Sequence, residues 1–116
     1  MTFDQPSEKR SIPDLTAALN QLWSRFLPEI RERVATLEAA AQARVSGDIT
    51  TVQREAAHAA AHKLAGTLGT FSLDRGTELA REFEYACATN EACAATEAQH
   101  LTGIAAELRT VVEGRS

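Results

Sequence analysis

The chain has 116 residues, a formal net charge of −4 and a pI near 5.3. A chain of this length is typical of one domain with its own core. Its lysine and arginine residues are spread along the sequence, which argues against the basic patch that nucleic acids and anionic membranes require. No stretch approaches the ~20 apolar residues that span a bilayer, and no secretory signal pattern is present. We therefore expect a cytoplasmic protein, and a monomer by default.

The N-terminal third of the sequence predicts a tail followed by a long helical region. Residues 1–10 are polar and lack a helical apolar pattern, so we expect a flexible tail ahead of a domain over residues 11–116. Ser11 and Pro13 indicate that the first helix begins there. Pro28 then either kinks this helix or separates it from a second one. Gly47 predicts that the helical region ends near Ser46.

The rest of the chain contains three further amphipathic segments. They are predicted over about residues 49–70, from a Ser72 cap to about residue 88, and from an Asn90 cap to Gly114. No segment alternates with the period of a strand. The pattern predicts an all-α fold, an up-and-down four-helix bundle with an additional or kinked N-terminal helix. Cys87 and Cys93 lack the spacing of a metal site and are interpreted as buried hydrophobes.

The segment over residues 58–69 reads HAAAHKLAGTLG and places two glycines inside a predicted helix. Each glycine costs the helix about 1 kcal/mol relative to alanine. On a helical wheel, Gly66, Gly69 and His58 all fall within roughly 40° of His62. The opposite half of the wheel is almost entirely apolar, as a bundle core requires. We interpret the glycines as bare backbone that lets another protein approach the imidazole without meeting a Cβ.

These residues resemble the signature of a known family. The matching positions are His62-Lys63-Leu64-Ala65-Gly66, then Gly69 and Phe71, and on the next helix Leu79, Ala80 and Glu84. The pattern is similar to that of the histidine-containing phosphotransfer (HPt) domains of bacterial two-component phosphorelays. The resemblance implies that His62 accepts a phosphoryl group from the aspartate of a response-regulator receiver domain, or from the receiver of a hybrid histidine kinase, and passes it to another receiver.

The resemblance also implies how the chemistry is divided between the partners. The receiver domain would supply the acidic pocket and the Mg²⁺ ion, and this chain would need no cofactor of its own. Imidazole is substantially neutral at cytoplasmic pH, which suits a nucleophile. The sequence has no Gly-rich nucleotide loop, so we expect a phosphotransfer intermediate and not an autonomous, ATP-dependent kinase.

Specific roles follow for the residues near His62. Many family members carry lysine three residues after the histidine, where this chain has Ala65. Lys63 is adjacent to His62 in sequence, and its long side chain could support the phosphate charge, although it could equally be a solvated lysine. The residues expected to contact a partner are His58, Ala65, Gly66, Gly69 and Glu55.

Two other functions use the same residues. A non-catalytic adaptor would bind a response regulator through the same face without needing His62. A zinc site could use His58 and His62, one helical turn apart, with Glu55 as a further ligand, but Ala59 stands where a HExxH motif has its glutamate. We therefore assign no metal. The sequence leaves open the cognate kinase and receiver, the direction of transfer, and whether the domain is free-standing or part of a hybrid kinase.

Overall fold

A computed structural model describes residues 4–88 and 95–115, with side chains over 14–88 and 97–115. Four helices follow in chain order: α1 (Asp4–Ser46), α2 (Thr51–Thr70), α3 (Asp74–Ala86) and α4 (Ala95–Gly114). Each helix packs against the next, and α4 closes the bundle against α1. The described residues contain no strand. The predicted all-α, four-helix bundle is therefore confirmed.

Helix α1 differs from the prediction at its start and in its middle. It begins at Asp4 and not at Ser11, so residues 4–10 are helical where a flexible tail was expected. The early Pro6 is compatible with this start, because proline in the first turn removes no intrahelical hydrogen bond. Residues 1–3 lie outside the described part of the chain, and the domain boundary at Ser11 stays a prediction.

Pro28 neither ends α1 nor starts a second helix. A proline inside a helix removes one hydrogen bond and costs about 3 kcal/mol. Pro28 itself is exposed, while Trp23 before it and Ile30 and Val34 after it are almost fully buried. Because the same apolar stripe continues on both sides, packing against the bundle holds the helix together through the proline.

Local signals account for most of the other helix ends. Gly47, with a φ of 78°, ends α1 as predicted, in a left-handed position that glycine adopts without strain. Thr50 caps α2 through a reciprocal pair of hydrogen bonds with Gln53. Ser72 does not cap α3; its φ is 58°, and it forms the left-handed turn that ends α2. Helix α3 begins at Asp74, and Asn90 and Cys93 lie outside the described residues.

The core lies between all four helices and is made mainly of aliphatic and alanine side chains. At the end of the bundle where α2 stops, the rings of Trp23 and Phe71 meet edge to face at 5.1 Å. The guanidinium of Arg115 lies 5.0 Å from the Trp23 ring centre. Cys87 is buried, as predicted. None of the described helices is both long and apolar enough to cross a membrane.

Gly76 in α3 allows a close approach between helices. A Cβ added at this position would lie 2.8 Å from Cδ1 of Leu68 and 3.3 Å from Cγ1 of Val111. Leu68 is fully buried and therefore has little room to move. The lack of a side chain at Gly76 is thus a packing requirement between α3, α2 and α4.

We predict that Gly76→Val destabilises the bundle by about 1–3 kcal/mol, the usual cost of overpacking a core. The free energy of unfolding, measured by urea denaturation, tests this. Gly103→Val is the matched control, because an added Cβ there would meet nothing within 4 Å. Equal stability of the two variants would contradict the packing role of Gly76.

Ion pairs connect neighbouring helices on the outside of the bundle. The Arg75 guanidinium on α3 donates two hydrogen bonds to the Glu107 carboxylate on α4, at 2.8 and 3.1 Å. Arg31 on α1 makes a similar pair with Glu113 on α4, at 2.8 and 2.7 Å. These hydrogen bonds lower the pKa of the Glu107 and Glu113 carboxyls below their ordinary value.

A lowered pKa in the folded state means that the ion pair stabilises the protein above the ordinary glutamate pKa, and that this stabilisation is lost as pH falls through the folded-state pKa. We predict that Arg75→Gln raises the titration midpoint of Glu107 towards the ordinary value. An NMR titration of the side-chain carboxyls measures it, with Glu113 as the internal reference, because its partner Arg31 is unchanged. An unchanged Glu107 midpoint in Arg75→Gln would show that the pair is absent in solution.

Candidate functional site

Helix α2 has one buried face and one exposed face, and His62 lies on the exposed one. The buried side chains are Ala57, Ala60, Ala61, Leu64, Ala65 and Leu68. The His62 side chain is 73% exposed. Because the apolar residues fill the interior, the sequence itself turns His62 towards solvent.

A carboxylate from the neighbouring helix contacts His62. Nδ1 of His62 lies 2.8 Å from Oε2 of Glu84 on α3. The Glu84 side chain is only 24% exposed, because it lies at the edge of the buried face of α3, next to Phe83. The contact therefore joins a half-buried carboxylate to an exposed imidazole.

This hydrogen bond decides which ring nitrogen is available for chemistry. An ionised carboxylate can only accept a hydrogen bond, so the proton must be on Nδ1 of His62. In the neutral ring, Nε2 then carries the free lone pair. Since the ring is mostly exposed, an incoming group can reach this nitrogen from solvent.

Two other hydrogen bonds fix how α2 and α3 lie against each other. The Thr77 hydroxyl on α3 donates to the backbone carbonyl of Ala65, at 3.1 Å. At the other end of α3, Nη1 of Arg54 donates to the carbonyl of Cys87, at 2.6 Å. A basic side chain is favourable there, because the last carbonyls of a helix carry partial negative charge. These contacts hold Glu84 opposite His62.

The glycine face predicted from the sequence is present next to His62. Gly66 and Gly69 are both exposed. A Cβ added at Gly66 would meet nothing within 4 Å, and one at Gly69 would only touch the Thr77 hydroxyl, at 3.5 Å. Neither glycine is needed for packing within the bundle. They therefore leave accessible backbone beside the histidine, and their contact with a partner stays a prediction.

The other residues predicted near His62 differ in how exposed they are and in which charged groups they contact. His58 is 41% exposed, and its Nε2 lies 4.0 Å from Oε2 of Glu84. Glu55 is 66% exposed, and its carboxylate lies 3.9 Å from Arg54. Lys63 is exposed and makes no ion pair or hydrogen bond within the described part of the chain.

Ala65 does not lie on the exposed face where a partner contact was expected. Its side chain is 5% exposed and belongs to the core. The reason is its angle on α2, which turns its Cβ towards α3, where Thr77 bonds its carbonyl. The position that is lysine in many HPt domains is thus a small packing residue here.

Two features of the site were not assigned from the sequence. Glu84 was recognised only as a matching position, without a role, although a charged residue at the edge of an apolar helical face is itself a signal. The second is a groove of about 340 Å³ between α1 and α2, lined by Phe26, Glu29, Arg33, Thr67, Thr70 and Phe71. Among the described residues, no group of three or more His, Cys, Asp or Glu side chains is arranged to hold a metal ion.

Comparisons with a protein family and with a known protein both find a match. The sequence profile of the Hpt domain matches residues 21–114 of the chain. Protein RcaC of Microchaete diplosiphon is 36% identical over 69 residues, which is 60% of this chain and 11% of RcaC. The chain thus spans about a tenth of the length of that relative. No solved structure matches the chain.

The profile match includes α2 and α3 completely, and therefore covers His62, Glu84 and both glycines of the exposed face. Hpt domains carry out histidine phosphotransfer in phosphorelays, where they work with receiver domains and histidine kinases. The chain belongs to the Hpt domain family.

Proposed function

We propose that this protein is a phosphocarrier in which Nε2 of His62 accepts a phosphoryl group from a receiver-domain aspartate and passes it to another receiver. The observation that carries the proposal is the 2.8 Å contact between Nδ1 of His62 and Glu84, on a ring that is 73% exposed. This contact gives the ring the tautomer that a nucleophile needs.

The transfer step balances without any proton leaving the site. The lone pair on Nε2 of His62 forms a bond to phosphorus, and the bond from phosphorus to the aspartyl oxygen breaks, leaving its electron pair on the receiver carboxylate. The ring keeps its proton on Nδ1 and becomes positively charged. Glu84 already accepts a hydrogen bond from that nitrogen, so its negative charge stabilises the charged ring. Transfer to the next receiver reverses these steps.

Other charges in the reaction come from Lys63 and from the partner. Lys63 is exposed, adjacent to His62 in sequence and without a partner among the described side chains, which leaves its ammonium available to balance phosphate charge. A Mg²⁺ ion held by the receiver would neutralise further charge on the transferring group. The fold itself positions the nucleophile, which is most of what phosphoryl transfer requires.

The surface around His62 suits a transient protein partner. Gly66 and Gly69 leave the His62 face of α2 without a side chain at two positions, one and two turns beyond the histidine. The groove between α1 and α2 opens beside this face, and Phe26 on its rim is 38% exposed. We infer that a receiver docks across α2 with an apolar contact at Phe26, over the small interface expected of a partner that must be released.

We predict that phosphoramidate, a small phosphoryl donor, adds one acid-labile phosphoryl group to the wild-type protein and to His100→Gln, and none to His62→Gln. Intact-mass analysis at neutral pH measures the gain. His100 is the matched control, because it is also an exposed histidine paired with a glutamate, at 2.6 Å from Glu82.

The same measurement tests the adaptor alternative. If His62→Gln gains as much phosphoryl as the wild type, then His62 is not the acceptor. If the wild type gains none from phosphoramidate or from any phosphorylated receiver domain that binds it, the protein is an adaptor. Circular dichroism of each variant confirms that the helices are intact.

We also predict that Gly66→Leu slows transfer to a receiver by roughly tenfold or more, which corresponds to about 1.4 kcal/mol in the barrier. The added side chain would block the approach to His62, while the free energy of unfolding should rise by about 0.5–1 kcal/mol, because an exposed helix-interior glycine is replaced. Gly103→Leu is the control: it lies at an equally open helical position on α4, diagonally across the bundle from α2. Equal transfer rates in the two variants would disprove the role given to Gly66.

A further inference from the structure

We propose that His58 is a positioning residue that shares the Glu84 carboxylate with His62. Protonation of His58 would draw Glu84 away from Nδ1 of His62 and make His62 a poorer phosphoryl acceptor. The part of this inference that concerns phosphorylation rests on the proposed function. The part that concerns the shared carboxylate stands on the geometry of α2 and α3.

A single oxygen atom of Glu84 faces both rings. Oε2 lies 2.8 Å from Nδ1 of His62 and 4.0 Å from Nε2 of His58. The two histidines are one turn apart on α2, so their rings approach the same side of α3. Glu84 is more buried than either histidine, which limits how far its carboxylate can turn towards water.

Few other charges surround His58. His58 lines a small cavity of about 160 Å³ together with Arg54 and Glu55 of its own helix and with Ala88, which follows α3. Arg54 is already engaged, since it donates to the carbonyl of Cys87 and lies 3.9 Å from the Glu55 carboxylate. On α3, Arg81 lies one turn before Glu84 and forms no ion pair with it. Glu84 is therefore the carboxylate within ion-pair distance of His58.

The charge state of His58 determines the competition for Glu84. While His58 is neutral, the carboxylate can accept fully from Nδ1 of His62 and hold its proton on that nitrogen. A protonated His58 places a cation about 4 Å from the same oxygen, where His62 contributes only a neutral donor. Two unit charges at that distance in a water-like medium shift an equilibrium by about fivefold. The hydrogen bond to His62 weakens accordingly, and fewer His62 rings present a free Nε2.

The test is an NMR titration of the histidine ring nitrogens in the wild type, His58→Gln and Glu84→Gln. The chain has only three histidines, so each is resolved. We expect the His62 nitrogen signals of the wild type to titrate in two steps, one of which follows His58. That step should disappear in His58→Gln and in Glu84→Gln. The isolated pair of His100 with Glu82 should titrate identically in all three proteins.

A second variant, His58→Lys, places a permanent cation at the same position. At pH 8 we expect His58→Lys to lower the ratio of Nδ1-protonated to Nε2-protonated His62 by about two- to fivefold. His58→Gln should leave that ratio unchanged. Identical His62 titration curves in the wild type and His58→Gln, or an unchanged ratio in His58→Lys, would overturn the proposal.

Phosphorylation by phosphoramidate at pH 8 gives a separate readout. It should be slower by the same factor in His58→Lys than in His58→Gln. The two proposals can fail independently: coupled NMR titrations without any phosphoryl gain would remove the phosphocarrier function and keep the shared carboxylate. A phosphoryl gain with uncoupled titrations would keep the phosphocarrier function and remove the shared carboxylate.

Discussion

The site depends on one constraint, the burial of a narrow face of small residues on α2. Alanine lines most of this face, and small side chains allow neighbouring helices to approach closely. The approach of α3 is close enough for Thr77 to reach the backbone of α2 and for Glu84 to reach the ring of His62. The same burial leaves His62, Gly66 and Gly69 no position except the outside of the bundle. Core packing and the exposure of the His62 ring are thus two results of one amphipathic pattern.

The glycines of the chain show that one residue type serves opposite purposes in this fold. Gly76 is buried, and its missing side chain makes room for Leu68 and Val111. Gly66 is exposed, and its missing side chain leaves the helix backbone open to solvent. Both glycines cost helix stability; interhelical packing offsets the cost at Gly76, whereas an added Cβ at Gly66 would meet nothing within 4 Å, so no such packing offsets it there. A helical glycine therefore has to be interpreted from its surroundings.

The ion pairs that join the helices of the bundle differ in kind from the charged contacts around His62. The arginine–glutamate pairs that join α1 to α4 and α3 to α4 contain only groups that keep their charge near neutral pH. The contacts around His62 instead pair Glu84 with histidines, the residue type that ordinarily changes charge in that range. In the proposed phosphotransfer His62 alternates between a neutral and a positively charged state, and a nearby fixed charge favours that change. Glu84 provides that charge without enclosing His62 and blocking its access to a partner.

The sequence by itself determined the helical class, the exposed histidine and the bare backbone at Gly66, because these follow from the 3.6-residue period and from the absence of a Cβ. The family could also be recognised from the sequence, through a short motif that lies on α2 and α3. The local signals at Ser11, Pro28 and Ser72 led to wrong or open helix boundaries, because packing along α1 and the left-handed turn after α2 outweighed local preference. Only the tertiary structure decided that Ala65 is buried, that Glu84 contacts Nδ1 of His62, and that His58 faces the same oxygen. Those relations depend on how α2 lies against α3. The residues that meet there are far apart in sequence, so no local pattern predicts their contact.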